Sequence, residues 1–516
     1  MPFRIRSIIP FCFALLTMGC SDTPPVFLGH YPQIDMLIEG GQVLDGLGHE
    51  STAADVVIVG DTIVYVGETH FSAADRDTRI KQGIDATGRI VSPGFIDLHS
   101  HGDPMETPAF ENFLAMGVTT ISLGQDGDSP ETEDLADWLA TVAKQRIGTN
   151  LAMFVGHGTL RTVSGIDRAA IPSTQGMTKM LTLLDDTLAY TFGMSTGLEY
   201  NPGLNAEVTE MEALARVVGE RERMIMSHMR NEDDDKLNGS IDELLAQGKF
   251  ARIHIAHLKS VYGKGSDRAD EILSLLADAR QSGIQVTADI YPYNASYAGI
   301  DLVFPIWAKS AEQFQQAKIE RRVELEEFLR NKIARRNGPE ATLMGTDPYT
   351  GKTLADLSRE MKMPFEKVLI DVIGPQGAAG AYFVMNDELQ SRLLADPNLS
   401  ICSDGRPTGF HPRGHGTFAK IIEEYVNKRH LFSLAEAVRK MTSQPAGILG
   451  LEDRGVIAAD KKADILIFNP EHIKATATYP QPLQLAEGFD VVIVNGQIAR
   501  QDDKLAQARS GLVLKP

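Results

Sequence analysis

The sequence predicts an α/β protein: a (β/α)8 TIM-like barrel with a small β-sandwich domain built from the N- and C-terminal segments. Between residues 95 and 455, short apolar runs alternate with stretches of helical periodicity. This alternation is typical of a parallel sheet, and about eight such runs indicate a barrel. Residues 34–94 and 456–512 instead carry apolar residues with a period near two, which is typical of antiparallel strands. We expect these two ends of the chain to pair into one small domain that brackets the barrel.

The strands of the predicted barrel are short apolar runs that end in turn residues. In chain order they are FIDLHSH, TTISLG, NLAMFVGHG, YTFGMSTG, RMIMSHMR, ARIHIAHLK, QVTADIYPY and LSICSDG. A helix between two of them is DRADEILSLLADARQSG, in which leucines and an isoleucine recur at helical spacing before a closing glycine. A charged, helix-rich stretch at about 309–338 is longer than a usual connection. We expect this stretch to be an insertion that caps the barrel mouth.

The composition is that of a folded, acidic protein. The chain has 516 residues, of which 43% are hydrophobic and 23% charged, so general disorder is excluded. Its 69 acidic and 50 basic residues give a net charge of −19. This balance argues against a nucleic-acid partner, because phosphate binding needs a basic surface.

The first residues indicate export. The apolar run from Ser7 to Met18 follows two arginines and is too short to span a bilayer, but it suits the core of a secretory signal. Gly19 directly before Cys20 is similar to a bacterial lipoprotein signal. We therefore expect residues 1–19 to be a lipoprotein-type signal peptide and residues 20–33 a tether. The mature protein would face the periplasm and touch the membrane only through a lipid on Cys20. A plain signal peptide cleaved nearby is the alternative.

Histidines at the ends of predicted strands are candidate metal ligands. In FIDLHSH, the alternation of strand side chains places Phe95, Asp97, His99 and His101 on one face. Two imidazoles spaced in this way can hold one metal ion. Alone, such a pair is more often a surface feature than a metal site, so further ligands on other strands are needed to indicate a site.

Two later strands supply such ligands. In RMIMSHMR, the apolar face of Met224 and Met226 ends in His228, and ARIHIAHLK repeats this pattern up to His257. These histidines are 29 residues apart, close to the roughly 30 residues of one βα unit. Both are therefore expected at the C-terminal mouth, where barrel enzymes place their chemistry. His254 points to the other face, and we expect it to pack against a helix.

Carboxylates complete the predicted metal site. Asp404 ends LSICSDG, and Asp126 lies in GQDG after TTISLG. Because Asp-Gly is also a common turn pair, a turn role for Asp126 stays open. Four imidazoles with one or two carboxylates suit Zn²⁺, with Fe²⁺ and Mn²⁺ as alternatives.

Together these segments resemble the amidohydrolase superfamily. PGFIDLHSHGD, the single histidines on two later strands and the strand-end aspartate carry this resemblance. More narrowly, GHGTLR, STGLEYNPG, SHMRNE, DIYPYNAS, SDG…HPR…GTF and MTSQPA are similar to the N-acyl-D-amino-acid deacylases, or D-aminoacylases, over about residues 34–512. The resemblance implies a barrel with a small β-sandwich and a zinc site of one or two ions.

The resemblance also implies how the ligands are divided. The more buried metal position would have His99, His101 and Asp404, and the other would have His228 and His257. The family often has a cysteine where this chain has Asp126. A carboxylate is a harder ligand than a thiolate, so the number of metals and the preference for zinc stay open.

The implied reaction is hydrolysis of the amide bond of an N-acyl-D-amino acid to a carboxylate and a free D-amino acid. A metal-activated water would attack the carbonyl, with Asp404 as general acid/base. Lys259, two residues after His257, is expected near the mouth, where it would bind the carboxylate of the substrate. Tyr200 and Arg413 match family positions that grip this carboxylate. A preference for the D-isomer follows from the resemblance alone.

Two alternatives remain at this point. The substrate could be a cyclic amide or a dipeptide instead of a linear N-acyl amino acid. The protein could also be a surface lipoprotein whose barrel serves only for binding or scaffolding.

Overall fold

The structure is a computed structural model that describes residues 31–516. The predicted signal peptide, the predicted lipidated Cys20 and most of the predicted tether lie outside these residues. Along the described chain, no helix is both long and apolar enough to cross a bilayer.

The strands and helices alternate through the middle of the chain. In chain order, the strands are β1 (Ile34–Val43), β2 (Thr52–Val59), β3 (Thr62–Gly67), β4 (Ile80–Asp85), β5 (Ile90–Pro93), β6 (Phe95–Asp97), β7 (Val118–Leu123), β8 (Asn150–Gly156), β9 (Gly193–Gly197), β10 (Met224–His228), β11 (Arg252–Ile255), β12 (Val286–Ile290), β13 (Ser296–Gly299), β14 (Thr342–Met344), β15 (Ala379–Tyr382), β16 (Leu399–Ile401), β17 (Ile465–Phe468), β18 (Phe489–Val494), β19 (Gln497–Gln501) and β20 (Lys504–Leu505). The α-helices are α1 (Ala73–Arg79), α2 (Glu111–Ala115), α3 (Leu135–Gln145), α4 (His157–Val163), α5 (Thr174–Thr187), α6 (Val208–Glu220), α7 (Asp234–Gln247), α8 (Ser266–Gln281), α9 (Ala311–Glu320), α10 (Arg322–Arg335), α11 (Leu354–Met361), α12 (Phe365–Val368), α13 (Asp387–Leu394), α14 (Arg413–Lys420), α15 (Leu434–Met441) and α16 (Ser443–Leu449).

Eight parallel strands form the barrel, so the predicted fold class is confirmed. Their order is β6-β7-β8-β9-β10-β11-β12-β16. Beyond the ends of β6 and β16, Ser100 and Gly405 form a parallel bridge that brings the first and last strands together. Across this join, the Asp404 N–H donates to the carbonyl of His99 over 2.8 Å. Backbone pairing therefore places an aspartate and a histidine from opposite ends of the barrel sequence side by side.

Both ends of the chain build the small domain. Its strands form one continuous sheet in the order β20-β19-β18-β17-β5-β1-β2-β3, with β4 paired to β1. The central contact joins β5, which precedes the barrel, to β17, which follows it, in antiparallel register. Side chains from both ends, such as Ile58, Val91 and Ile465, share one buried core. The period-two pattern at the two ends thus corresponds to one hydrogen-bonded sheet.

The insertion in the barrel is larger than predicted. Helices α9 and α10 occupy the predicted stretch 309–338, but the insertion also contains the antiparallel sheet β13-β15-β14 and helices α11 and α12. It therefore extends over residues 296–382. Its strands have only three or four residues and pair with distant partners, so no local periodicity marks them. Tyr297, Ala298 and Leu302 of the insertion line the inner cavity of the barrel mouth.

Candidate metal centre

His99 and His101 lie just beyond the end of β6 and not on the strand itself, because β6 ends at Asp97. The buried Asp97 carboxylate fixes this turn by accepting the N–H of His99 over 3.2 Å and the N–H of Ser403 over 2.9 Å. The two imidazole rings lie 5.2 Å apart, centroid to centroid. His99 and His101 thus lie side by side as predicted, but the turn after β6 and not the pleat of a strand orients them.

Asp126 and Asp404 face this histidine pair. His99 Nε2 lies 3.2 Å from Asp126 Oδ1 and 3.8 Å from Asp404 Oδ1. His101 Nε2 lies 3.5 Å from Asp126 Oδ2 and 3.3 Å from Asp404 Oδ1. One potential ligand atom from each of these four residues lies within 4.8 Å of all the others, which defines the first cluster.

His228 and His257 form a second cluster with Asp126. His228 ends β10, and His257 follows β11 by two residues. Nδ1 of His228 lies 3.0 Å from Nε2 of His257, and Asp126 Oδ1 lies 3.9 and 3.4 Å from these two atoms. Asp126 therefore belongs to both clusters, because a carboxylate oxygen of this residue lies within 4.8 Å of the donor atoms of each. All six ligands predicted from the sequence converge at the barrel mouth.

Three of these residues sit on left-handed backbone. The φ angles are 55° at Asp126, 37° at His257 and 49° at Asp404. A residue other than glycine in this region costs about 1–3 kcal/mol and persists only where the surroundings fix it. At His257 the fixing group is Asp289 on β12, whose Oδ1 accepts the His257 N–H over 2.5 Å. Three of the six candidate ligands thus sit on strained backbone.

Two glutamates at the site were missed by the sequence analysis. Glu199 Oε2 lies 3.3 Å from Nε2 of His228, and Glu232 Oε1 lies 3.3 Å from Nδ1 of His257. Each carboxylate faces the ring nitrogen that points away from the second cluster. Both glutamates lie in loops after strands, where no periodicity marks them. Their only signal was membership in STGLEYNPG and SHMRNE.

His254 differs from its predicted position against a helix. It is fully buried between strands, with Nε2 2.9 Å from Asp289 Oδ2 and Nδ1 2.8 Å from Thr287 Oγ1. The register of β11 against β12 pairs His254 with Thr287. A polar strand neighbour therefore holds this imidazole away from both clusters.

The predicted substrate-binding cations are already paired in the structure. Lys259 is buried, with Nζ 2.7 Å from Glu232 Oε1 and 2.8 Å from His257 Nδ1. Arg413 at the start of α14 has its NH1 atom 2.7 Å from Asp404 Oδ2. Tyr200 packs on His228 with ring centroids 4.5 Å apart. All three predicted residues line the inner cavity.

The electrostatics of the clusters favour bound positive charge. Burial alone would raise the pKa of Asp126, but the charge of His99 and hydrogen bonds from neighbouring histidines hold it well below its ordinary value. The pKa of Asp404 is also lowered, because Arg413 and His257 outweigh burial. At His257, burial and the nearby ammonium group lower the pKa, yet the surrounding carboxylates outweigh them and raise it to about 10. Ionised carboxylates that stabilise a cation in this way suit a metal ion.

The donor set fits a divalent metal. Among residues 31–516, Nε2 of the buried His99 has no hydrogen-bond partner, which is unusual for a buried polar atom and expected for a metal ligand. Imidazoles and carboxylates are the nitrogen and oxygen donors that zinc accepts. A cavity of about 410 Å³ opens from the clusters to solvent and includes His101, Asp126, Tyr200 and Asp404 in its walls. The site therefore combines metal donors with space for a small substrate.

Comparison with known proteins agrees with this description. A family model described as "Amidohydrolase family" matches residues 336–500. N-acyl-D-glutamate deacylase from Alcaligenes xylosoxydans xylosoxydans is 33% identical over 492 residues, covering 90% of this chain and 93% of that protein. N-acyl-D-aspartate deacylase from the same organism is 28% identical, covering 94% of this chain and 95% of that protein.

Solved structures give the same result. The structure of N-acyl-D-glutamate deacylase from Bordetella bronchiseptica, in complex with zinc and a phosphonate mimic of the tetrahedral intermediate, is similar with a TM-score of 0.81 at 29% identity. The superposition covers 94% of this chain and 100% of the deacylase chain. An L-hydantoinase from Arthrobacter aurescens has a TM-score of 0.55 at 14% identity and covers 94% of this chain and 100% of that chain, a likeness that concerns the fold alone.

The barrel and its clusters of imidazoles and carboxylates define a metal-dependent amidohydrolase. The N-acyl-D-glutamate deacylase that is 33% identical over 90% of this chain identifies the family within that class. The chain belongs to the N-acyl-D-amino-acid deacylase family, and the resemblance predicted from the sequence is confirmed.

Proposed function

We propose that this protein hydrolyses the amide bond of N-acyl-D-amino acids and releases a carboxylate and a free D-amino acid. The observation that supports this most directly is the convergence of four histidines and two aspartates on one cavity at the barrel mouth. Similarity to deacylases of N-acyl-D-glutamate and N-acyl-D-aspartate over at least 90% of the chain supports the substrate class. The preference for the D-isomer rests on that similarity.

The proposed cofactor is zinc, as one or two ions. One ion would be held by His99, His101 and Asp404, and a second by His228 and His257, with Asp126 shared between them. When bound, the metal would polarise the scissile carbonyl and make water more acidic. The shared carboxylate replaces the cysteine that is frequent in the family, so Fe²⁺ and Mn²⁺ are better tolerated here than at a thiolate site.

Asp404 is the proposed general acid/base. Its Oδ2 atom is held by Arg413 NH1 at 2.7 Å, so Oδ1, which faces His101 and the first cluster, is the oxygen that would accept a proton from water beside the metal position. Because the pKa of Asp404 is lowered, the carboxylate is ionised and ready to act as a base at neutral pH. The same oxygen would then deliver the proton to the departing amine nitrogen.

Tyr200, Lys259 and Arg413 are proposed to position the substrate carboxylate. Burial and nearby carboxylates raise the pKa of Tyr200 well above its ordinary value, so its hydroxyl stays protonated and can donate. While NH1 of Arg413 contacts Asp404, the other N–H groups of the guanidinium can donate to the substrate carboxylate. Lys259 would donate to the substrate carboxylate while its ammonium group also stays bonded to Glu232.

The test is a substrate panel with zinc-reconstituted full-length protein. We expect turnover of N-acetyl-D-amino acids, weaker turnover of the L-isomers, and none of hydantoins or dihydrouracil, which represent the cyclic-amide alternative. Asp404→Asn and His257→Ala should abolish turnover while the circular dichroism spectrum is unchanged. Asp186→Asn, at an exposed position on α5, is the matched control. Wild-type rates in the Asp404→Asn variant would refute the assignment, as would a zinc-loaded wild type that cleaves only cyclic amides or dipeptides.

We also propose that the mature protein is an exported lipoprotein anchored at Cys20 and facing the periplasm. The support is the sequence alone: two arginines, a short apolar run and Gly19 before the cysteine. Mass spectrometry of membrane-fractionated protein should find an acylated Cys20 at the new N-terminus. Recovery of Cys20→Ala in the same membrane fraction as the wild type would contradict the anchor.

A further inference from the structure

The cavity at the barrel mouth contains a guanidinium group that has no carboxylate partner among the described residues. Two arginines line this cavity, Arg406 and Arg413. Arg413 is paired with Asp404 at 2.7 Å. Arg406 is exposed, and within residues 31–516 its side chain makes no hydrogen bond and no ion pair within 4.0 Å. A solvated arginine in a substrate cavity is available to an incoming anion.

The other cations close to the clusters are neutralised by carboxylates. In the inner cavity, Lys259 lies 2.7 Å from Glu232, and Arg336 lies 3.1 Å from Asp233. An anion that approached either of them would compete with an existing buried ion pair. Among the cations that line the two cavities in the described chain, Arg406 alone can bind an anion without such competition.

The loop after β16 is shaped to hold Arg406 at the mouth. A Cβ atom at Gly409 would lie 2.5 Å from Cγ and 3.1 Å from Cδ of Arg406. A Cβ atom at Gly414 would lie 2.6 Å from the carbonyl oxygen of Arg406. The aliphatic part of the Arg406 side chain packs directly on the backbone at Gly409. A side chain at Gly409 or Gly414 would therefore displace Arg406.

The remaining charges of the cavity are negative. Asp126 and Asp404 belong to the clusters, and Asp128 and Glu131 lie on the rim. None of these carboxylates other than Asp404 is paired with an arginine of the cavity within 4.0 Å. A metal ion bound at the clusters would offset the charge of Asp126 and Asp404, so the carboxylates left to repel a second negative group of the substrate are Asp128 and Glu131. Arg406 is the cation of this cavity that could attract such a group.

We propose that Arg406 determines specificity by binding a second carboxylate of the substrate, an inference that rests on the proposed function. The substrate class is then a dianionic N-acyl amino acid. The second carboxylate would come from an acidic side chain, as in a D-glutamate or D-aspartate derivative, or from a dicarboxylic acyl group such as succinyl. In either case the planar fork of the guanidinium matches the carboxylate.

Matched substrate pairs that differ only in charge test this assignment. With zinc-reconstituted full-length protein, kcat/KM is measured for N-acetyl-D-glutamate against N-acetyl-D-glutamine, and for N-succinyl-D-alanine against N-succinamoyl-D-alanine. We expect Arg406→Gln to lower the acid-to-amide ratio of one pair by about tenfold, mainly through KM, in line with a hydrogen-bonded charge pair. The pair that responds identifies the source of the second carboxylate.

Further variants separate specificity from structure. Arg406→Lys should recover part of the ratio and Arg406→Glu should lower it below that of Arg406→Gln. Gly409→Ala, which displaces the stem of the arginine, should act in the same direction as Arg406→Gln. Arg168→Gln, at an exposed arginine outside both cavities, is the matched control and should leave the ratio unchanged.

The failure of this proposal is distinguishable from the failure of the proposed function. An equal loss of activity on acids and amides, or an unchanged ratio in Arg406→Gln, would overturn the role of Arg406 while leaving the deacylase activity intact. Titration calorimetry with the same four compounds tests Arg406 without turnover. Equal affinity of wild type and Arg406→Gln for both acids would overturn the assignment even if no compound were hydrolysed.

Discussion

Glu199 Oε2 lies 3.3 Å from Nε2 of His228, whose Nδ1 faces His257 across 3.0 Å. Glu232 stands in the same relation to His257, with Oε1 3.3 Å from the Nδ1 atom. Each imidazole of the second cluster therefore carries a carboxylate on the ring nitrogen that points away from the other imidazole. Such carboxylates fix the tautomer and the orientation of a metal-binding histidine and increase its basicity.

We predict that Glu199→Gln weakens zinc binding at the second cluster by about 10- to 100-fold, the usual effect of losing such a partner. The amide keeps the size of the side chain but cannot accept the imidazole proton as a charged group. Metal affinity is measured by competition with a chromophoric chelator. Glu207→Gln, at an exposed position before α6, is the control. An affinity equal to that of the wild type would show that Glu199 does not support His228.

Asp126→Cys should shift the metal preference toward zinc. A thiolate is softer than a carboxylate, so the ratio of zinc to manganese bound in competition should rise by about tenfold or more. Because φ is 55° at this position and aspartate tolerates left-handed backbone better than cysteine, the variant should also lose about 1 kcal/mol of stability. Elemental analysis after equilibration with both metals gives the ratio. Asp126→Asn has a similar backbone tolerance and should show no shift toward zinc; an unchanged ratio in Asp126→Cys would contradict a ligand role.

The stability of the protein should depend on pH through Lys440. This residue is fully buried on α15, and burial lowers the pKa of its ammonium group to about 8. Between pH 8 and about 10.4, the ordinary lysine pKa, the unfolded chain binds more protons than the folded one. The free energy of unfolding should therefore rise with pH in this window, by up to about 3 kcal/mol relative to a chain without the group.

Denaturant unfolding of Lys440→Met at pH 7 and pH 10 checks this dependence. The gain in stability between the two pH values should be smaller in the variant than in the wild type. Lys474→Met replaces a lysine whose side chain is 53% exposed and should reproduce the wild-type gain. A larger gain in Lys440→Met than in the wild type would reverse the predicted sign.

Leu329→Ala should loosen the insertion selectively. Leu329 on α10 is fully buried in the core of the insertion, and such a truncation costs about 2–5 kcal/mol. Because residues of the insertion line the inner cavity, KM should rise as this segment opens more often. Hydrogen exchange should accelerate in peptides from 296–382 and stay unchanged in the barrel strands. Val323→Ala on the same helix, at a position 76% exposed, is the control, and uniform acceleration over the whole chain would contradict a separate core.

The candidate ligands could be predicted because of the way parallel strands converge. His228 ends β10 and His257 follows β11, and the C-terminal ends of parallel strands must meet at one rim. The sequence therefore indicated which residues would lie together without indicating their distances. It could not show that Asp126 belongs to both clusters, because that depends on a left-handed turn after β7.

The parts that were missed depend on long-range pairing. Glu199 and Glu232 lie in loops whose path is set by neighbouring strands and not by local periodicity. The three strands of the insertion are short and pair with partners far along the chain, so only its helices α9 and α10 were recognisable. The pairing of His254 with Asp289 depends on the register of β11 and β12, which a single strand pattern does not contain.

The sheet shared by the two chain ends also limits when, during synthesis, the small domain can form. Strand β5 hydrogen-bonds to β17, which begins at Ile465, so one side of β5 stays unpaired until most of the chain has been made. The backbone near the C-terminus also pairs with the barrel: Gly511 bridges to Ile147, just before β8, and Val513 bridges to Leu151 at the start of β8. In the nascent polypeptide, β5 therefore has an unpaired edge until the C-terminal residues that complete the sheet have been synthesised.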